Sequence, residues 1–131
     1  MDDRTKTLLE QYKTFADVYK HHFDLYVKGY VVYFGAMGAL CGFLYRQDHG
    51  AASKLYISFL IPIISIVAFI ACVQSRKWVH DLKSAMEKIE RELGVESFPF
   101  TGALGITFAT FCGVVALFLF GLWNVWIFRG R

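Results

Sequence analysis

Charged residues are missing from three long stretches of this sequence. Segments 29–45, 55–75 and 97–128 contain no Asp, Glu, Lys or Arg and are strongly apolar. A helix that crosses a bilayer needs roughly 20 mostly apolar residues. A chain of 131 residues is too short to bury three such helices in a soluble core. The sequence therefore predicts an all-α membrane protein with three transmembrane helices.

The same absence argues against several classes of membrane enzyme and transporter. Proton-coupled pumps, small exporters and voltage sensors use ionisable side chains inside their spans, and the three segments have none. Ser58 and Ser65 have no base at the same depth, so we expect their hydroxyls to bond to their own helix backbone. Cys41, Cys72 and Cys112 fall one per span, without metal-ligand spacing. We therefore expect no catalytic residues, no metal and no cofactor.

A concentrated basic cluster is also missing. Residues 1–28 carry five acidic and five basic side chains, and residues 76–96 carry the same numbers. Each segment is neutral when counted along the chain, so neither offers a basic stripe for nucleic acid. Neither offers a polybasic run for anionic lipid.

The distribution of Lys and Arg around the spans predicts the orientation. Ten basic residues flank the spans on the side of residues 1–28 and 76–96, whereas only Arg46, Lys54, Arg129 and Arg131 lie on the other side. Cytoplasmic flanks carry the excess of such residues. We expect a multi-pass protein of the inner (plasma) membrane, with the N-terminus in the cytoplasm and the C-terminus outside. The polar N-terminus does not resemble a secretory signal, so the first span is expected to direct insertion.

In the charged segments next to the first two spans, large apolar residues recur every three or four positions. Each segment therefore carries one apolar stripe that continues from its span. Spacings of three and four residues place each stripe on one face of a helix. The first helix would run for about 40 residues, or roughly 60 Å. Packed antiparallel, the two stripes would form a helical hairpin that protrudes into the cytoplasm. The predicted interface residues are Leu8, Tyr12, Phe15, Tyr19, Phe23 and Tyr26 on the first helix and Val79, Leu82, Met86, Ile89 and Leu93 on the second.

Local signals divide the chain further. Gly94 is a C-cap signal, Thr101 an N-cap signal, and Pro62 predicts a helix kink. Tyr45, Tyr56, Trp123 and Trp126 would form an outer interfacial belt. The predicted order is a cytoplasmic amphipathic helix over 1–28, a transmembrane helix over 29–45, an outer loop over 46–54, a transmembrane helix over 55–75, a cytoplasmic amphipathic helix over 76–94, a turn over 95–100, a transmembrane helix over 101–128 and an outer tail over 129–131.

Small residues recur on the first and third spans, where they would let helix backbones approach closely. They are Gly35, Gly38, Ala39, Gly42, Gly105, Ala109 and Gly113. Such faces pack either within one chain or between chains, and the sequence leaves both open. Three spans are few for a self-sufficient bundle, which favours a homo-oligomer.

His21, His22 and His80, with Asp17 and Asp81, are the polar groups from which a metal, pH-sensing or catalytic site would have to be built. Solvated or interface histidines are the favoured interpretation. A membrane enzyme built on these groups is therefore the third-ranked function.

The leading hypothesis is a non-catalytic, effector-like protein that self-assembles and forms or controls a membrane pore, or otherwise perturbs the bilayer. Thr107 and Thr110 are the candidate pore-lining residues of a largely apolar lumen. The alternative is an adaptor or accessory subunit of a larger membrane complex with a cytoplasmic protein partner. The expected partners are thus the lipid bilayer and other copies of the chain, with no nucleic acid.

Overall fold

The computed structural model describes residues 2–46, 48 and 50–130. All regular structure in these residues is helical: α1 spans Asp3–Leu44, α2 spans Ala51–Leu93 and α3 spans Thr101–Arg129. The predicted all-α class with three long helices is confirmed. The predicted outer loop and tail include Gln47, His49 and Arg131, which lie outside the described residues.

α1 and α2 are each longer than a bilayer is thick. They contain 42 and 43 residues, which corresponds to roughly 60 Å at 1.5 Å per residue. The stripe of large apolar residues at three- and four-residue spacing continues through Gly29, which one helix tolerates. α2 likewise continues through Pro62, which is buried within the bundle.

Two helix ends differ from the sequence-based expectation. α2 begins at Ala51, inside the predicted loop 46–54, because Ala51 and Ala52 are good helix formers directly after Gly50. α3 begins at Thr101 with Phe100 in the N-cap position, so the prediction that Thr101 is the N-cap is wrong. Phe100 takes that position because its carbonyl already accepts the Leu104 N–H at 3.3 Å.

α2 packs along both other helices and is antiparallel to each. Tyr33 of α1 contacts Ser65 of α2 while His22 contacts Ser75, so the residue numbers rise on one helix as they fall on the other. Between α2 and α3, Phe69 contacts Phe111 and Pro62 lies against Gly121, so the residue numbers again rise on one helix as they fall on the other. One end of the bundle therefore carries the connection 45–50 and is called the loop end. The opposite end carries the connection 94–100 and is called the turn end.

Two apolar clusters hold the bundle together. At the turn end, Tyr19, Met86, Phe100 and Ala103 are buried against one another, with contributions from all three helices. Toward the loop end, a second cluster is built around Met37, Leu44 and Ile61. The buried side chains of each cluster come from different helices and pack against one another, so the clusters fix the packing of the helices at both ends.

The outer surface of segments 29–45, 55–75 and 102–128 is strongly apolar. Each of the three helices is long and apolar enough to cross a membrane. Large apolar side chains on their outer surfaces remain exposed, among them Val31, Val32, Val67 and Phe108, each at least 64% exposed. The fold is therefore compatible with a membrane protein.

Candidate functional site

The small residues of α1 form a face that no described residue of the same chain covers. Gly35, Gly38, Ala39 and Gly42 are all exposed. A Cβ atom placed on any of the three glycines would have no other heavy atom within 4 Å beyond its own helix surroundings. This open glycine face (residues 35, 38, 39 and 42) is therefore free for close approach by another helix.

The small residues of α3 do not share one environment. Gly105 and Ala109 are exposed, and Gly105 is as open as the α1 glycines. At Gly113, by contrast, a Cβ would lie 2.8 Å from the ring of Phe34. Residues four apart are displaced by about 40° around a helix, so Gly105 and Gly113 face different directions. The small residues of α3 therefore do not form a single face. Gly105 and Ala109 are open to the outside, whereas Gly113 packs against α1 within the chain.

Among the glycines of the described residues, Gly121 is the one where an added Cβ would meet its nearest neighbour at the shortest distance, and the sequence did not indicate it. A Cβ there would lie 2.6 Å from Pro62 Cδ and 3.0 Å from Ile61 Cγ2. The glycine therefore allows α3 to approach α2 beside the proline. Gly121 comes eight residues after Gly113, so the four-residue spacing of small residues on α3 reaches it after two further helical turns.

The predicted hairpin interface comes together at the turn end. Tyr12, Phe15, Phe23, Val79 and Leu82 pack against the buried cluster that contains Tyr19 and Met86, and Ile89 is also buried. Leu8 and Leu93 are half-buried.

A third element joins the interface, which the sequence did not indicate. The start of α3 packs onto it: the ring of Tyr19 meets Phe98 edge-on at 5.3 Å and Phe100 at 4.9 Å between centroids. The two stripes are thus closed by residues from the turn and from α3.

Polar side chains cross the α1–α2 interface at regular intervals between the two apolar clusters. From the turn end inward, the contacts of this polar ladder are His22 Nε2 with Ser75 Oγ at 3.0 Å, Tyr26 OH with Cys72 Sγ at 3.4 Å, Tyr30 OH donating to the Ala68 carbonyl at 2.6 Å and Tyr33 OH with Ser65 Oγ at 3.0 Å. Each contact satisfies a polar group that apolar surroundings would otherwise leave unpaired.

The ladder changes the interpretation of the serines. Ser58 Oγ donates to the Lys54 carbonyl at 2.8 Å, as predicted for a hydroxyl bonded to its own helix. Ser65 Oγ instead contacts the hydroxyl of Tyr33, because α1 presents a tyrosine at the same level. The expectation of a backbone bond at Ser65 is wrong. The tyrosines at positions 26, 30 and 33 are the sequence feature that indicates such contacts, because a buried tyrosine hydroxyl needs a hydrogen-bond partner.

Glu90 organises the turn between α2 and α3, and sequence reasoning assigned it no role. Its side chain is only 6% exposed. Its Oε1 accepts the Phe98 N–H at 2.8 Å and the Tyr12 hydroxyl at 3.2 Å. Its carbonyl accepts the N–H of Gly94, which has a left-handed φ of 66° as the predicted C-cap.

The same contacts affect Tyr12. Burial, with smaller contributions from the hydrogen bond and the negative charge of Glu90, raises the pKa of the Tyr12 hydroxyl. Tyr12 therefore keeps its proton and remains a donor to the carboxylate.

His21, His22 and His80 do not form a shared site. His22 is half-buried between α1 and α2, with its ring 3.9 Å from that of Trp78, and burial together with the neighbouring His21 lowers its pKa. His21 and His80 are exposed. Within residues 2–46, 48 and 50–130, no three His, Cys, Asp or Glu side chains come together in a way that would hold a metal ion.

The two candidate pore-lining threonines bond to their own helix. Thr107 Oγ1 donates to the Ala103 carbonyl and Thr110 Oγ1 to the Ile106 carbonyl, each at 2.7 Å. Thr110 is buried inside the single chain, whereas Thr107 is half-buried. Asn124 of α3 is also buried, and its amide donates to the Phe120 carbonyl at 2.8 Å.

The hydroxyl and amide groups described above thus contact other groups between or within helices. Comparisons with protein-family models, with curated proteins and with solved structures find no match for this chain.

Proposed function

We propose that this chain is a non-catalytic protein of the inner membrane that crosses the bilayer three times and assembles into a homo-oligomer. The oligomer forms or controls a pore, or otherwise perturbs the membrane. The open glycine face of α1 is the observation that carries this proposal.

The surface composition supports the membrane part of the proposal. The predicted outer belt of Tyr45, Tyr56, Trp123 and Trp126 is exposed, and these residues sit near the helix termini at the loop end. Tyr and Trp favour the level of lipid headgroups because their rings are amphipathic. Apolar side chains cover the outer surface of segments 29–45, 55–75 and 102–128. A bilayer would solvate that surface, whereas water would not.

The open glycine face supports assembly. Gly in the middle of a helix costs roughly 0.5–1 kcal/mol relative to Ala, yet no contact with the described part of the chain requires a glycine at positions 35, 38 or 42 of α1. In lipid, helices associate through close backbone packing, since the hydrophobic effect no longer drives them together. A second copy of α1 or the open part of α3 around Gly105 would supply such a partner.

A pore would have to lie between copies. The interior of one chain is filled, since Met37, Ile61 and Val114 are no more than 1% exposed. Thr107, which is half-buried, is better placed than the buried Thr110 to reach a lumen between subunits.

Native mass spectrometry of the full chain in nanodiscs tests the proposal. We expect the wild-type chain to form one closed oligomer of several copies and Gly38→Leu to reduce it to monomers. A Cβ at position 38 meets no described atom of the chain within 4 Å beyond its own helix surroundings, so we attribute loss of assembly to the contact between copies. Gly29→Leu is the matched control: the position is equally open, but it lies about a third of a turn away from Gly35 and Gly42 around α1.

A monomeric wild-type chain, or an unchanged oligomer in Gly38→Leu, would contradict the proposal. The open face would then favour the rival function, an adaptor that docks on a larger membrane protein and binds a cytoplasmic partner. Induced expression separates the two functions, because a pore former depolarises cells on its own and an adaptor does not.

A further inference from the structure

Two adjoining cavities lie along the boundary between α2 and α3. The first, of about 220 Å³, is near the turn end and is lined by Arg76, His80 and Lys83 of α2 together with Phe100 and Leu104 of α3. We call it the basic pocket.

The second cavity, of about 410 Å³, continues toward the middle of the bundle. Its lining is mostly apolar and includes Val73, Phe108 and Phe111. Arg76, Leu104 and Thr107 line both cavities, so the two adjoin. We call this second part the apolar groove.

The fold separates charges that are balanced in the sequence. Residues 76–96 are neutral in total, yet Arg76, His80 and Lys83 follow each other at spacings of four and three and share one face of α2. The facing residues of α3 that line the basic pocket are uncharged. Glu87, one turn farther from the apolar groove, lies 3.8 Å from the Lys83 ammonium. Arg76 has no carboxylate within ion-pair distance among the described residues.

The basic pocket lies where the apolar part of α2 ends. Arg76 is the first charged residue after the charge-free segment 55–75. In a membrane-inserted chain, the pocket would sit at headgroup level, and the apolar groove would sit at the level of the acyl chains. Long basic side chains at such a boundary reach the interface readily.

We propose that this composite cavity binds an anionic phospholipid, with its phosphate at Arg76, His80 and Lys83 and one acyl chain along Val73, Leu104 and Phe108. Basic pockets between transmembrane helices on the cytoplasmic side recognise anionic headgroups through charge and hydrogen bonds. The adjoining apolar groove distinguishes a lipid from a free phosphate compound. The proposal depends on the membrane insertion in the proposed function but not on assembly.

The test measures which lipid the full chain retains. Nanodiscs of phosphatidylcholine with a minor share of phosphatidylglycerol are loaded with the protein, extracted with mild detergent and analysed by native mass spectrometry. We expect retained lipid to be enriched in phosphatidylglycerol. Arg76→Gln/Lys83→Gln should reduce that enrichment by about fivefold for each cation removed. Lys77→Gln/Lys88→Gln is the matched control, because it removes the same charge from exposed positions outside the pocket and should keep the enrichment.

Leu104→Trp tests the apolar groove separately. Leu104 lines the groove and is exposed, so the larger tryptophan ring should fill part of the groove and release the lipid without changing the charge. A millimolar excess of glycerol phosphate should not displace the lipid, because it has the headgroup chemistry without the acyl chain. The proposal would be overturned if Arg76→Gln/Lys83→Gln and Lys77→Gln/Lys88→Gln retained the lipid with equal enrichment. Displacement of the lipid by glycerol phosphate would also overturn it.

The outcome is separable from that of the assembly test. A monomeric chain that retains phosphatidylglycerol would refute assembly and support the lipid site. An oligomer that shows no enrichment of phosphatidylglycerol would support assembly and refute the lipid site.

Discussion

Gly121 of α3 lies directly against Pro62 of α2, so close that a Cβ on the glycine would come within 2.6 Å of the proline Cδ. Both residues are buried. The proline ring fills the space that a side chain on α3 would otherwise take. This contact therefore sets how closely the two helices approach near the loop end.

Substituting Gly121 with Ala should destabilise the bundle. The added methyl group cannot be accommodated without moving α3 away from Pro62 and Ile61, and such overpacking costs about 1–3 kcal/mol. Unfolding of the protein in mixed micelles, followed by circular dichroism during titration with a denaturing detergent, measures the change.

Gly105→Ala is the control for this substitution. Gly105 is on the same helix but a Cβ there meets nothing, so the replacement of glycine should be neutral or stabilise by about 0.5–1 kcal/mol. Equal effects of the two substitutions would show that Gly121 does not make the close contact.

The sequence predicted the number and approximate extent of the helices because the responsible signals are local. Charge-free runs and stripes at three- and four-residue spacing do not depend on distant residues, so the stripe from Tyr12 to Tyr26 and the C-cap at Gly94 could be recognised directly. The residues that pack at the turn end followed from the same periodicity. The contribution of Phe100 did not, because it depends on how the turn returns α3 to the other helices.

The remaining features depend on how the helices are rotated against each other. Nothing local indicates that Gly121 faces a proline on another helix while Gly105 faces outward. The burial of Glu90 likewise follows from the path of the turn, since a Glu four residues before Gly94 in a charged helix is ordinarily solvated. The basic pocket was hidden for a related reason, because counting charges along 76–96 ignores the face on which each one lies.

Replacing Glu90 with Leu should loosen the α2–α3 turn. The substitution leaves the Phe98 N–H and the Tyr12 hydroxyl without their acceptor, and an unsatisfied buried donor costs about 1–3 kcal/mol. Glu90→Gln keeps an acceptor oxygen and should cost less. Hydrogen exchange at the Phe98 amide should therefore accelerate strongly in Glu90→Leu and only slightly in Glu90→Gln.

Glu92 provides the comparison for this prediction. It pairs with Arg4 at 3.0 Å on an exposed surface, where ion pairs contribute about 0–1 kcal/mol. Glu92→Leu should leave exchange at Phe98 unchanged. If Glu90→Leu behaves in the same way, the carboxylate does not hold the turn.

The hydrogen bond between Tyr33 and Ser65 should make a small but measurable contribution to pairing of α1 with α2. A double-mutant cycle with Tyr33→Phe and Ser65→Ala isolates it, because both substitutions remove only a hydroxyl. Side-chain hydrogen bonds between membrane helices average about 0.6 kcal/mol and reach about 1.7 kcal/mol, so we expect a coupling energy in this range. A coupling energy of zero would mean that the two hydroxyls do not interact in the bilayer.

Acidification should weaken the contact between α1 and α2 near the turn end through His22. Burial, and secondarily the neighbouring His21, lowers the pKa of this ring from its ordinary value of 6.5, so the unfolded chain binds the proton more readily than the folded one. The free energy of unfolding should therefore fall as the pH drops below about 6.5, and it should stop falling below the pKa of the folded state. Thermal unfolding in micelles between about pH 7.5 and about pH 5 measures this dependence.

His22→Gln should flatten this pH dependence, because the amide can still bond to the Ser75 hydroxyl but cannot gain a charge beside Trp78. His80→Gln removes an exposed histidine and should leave the slope as in the wild-type chain. A wild-type slope that survives in His22→Gln would assign the acid sensitivity to other groups. A slope that disappears only in His22→Gln would identify this ring as the titrating group in the interface.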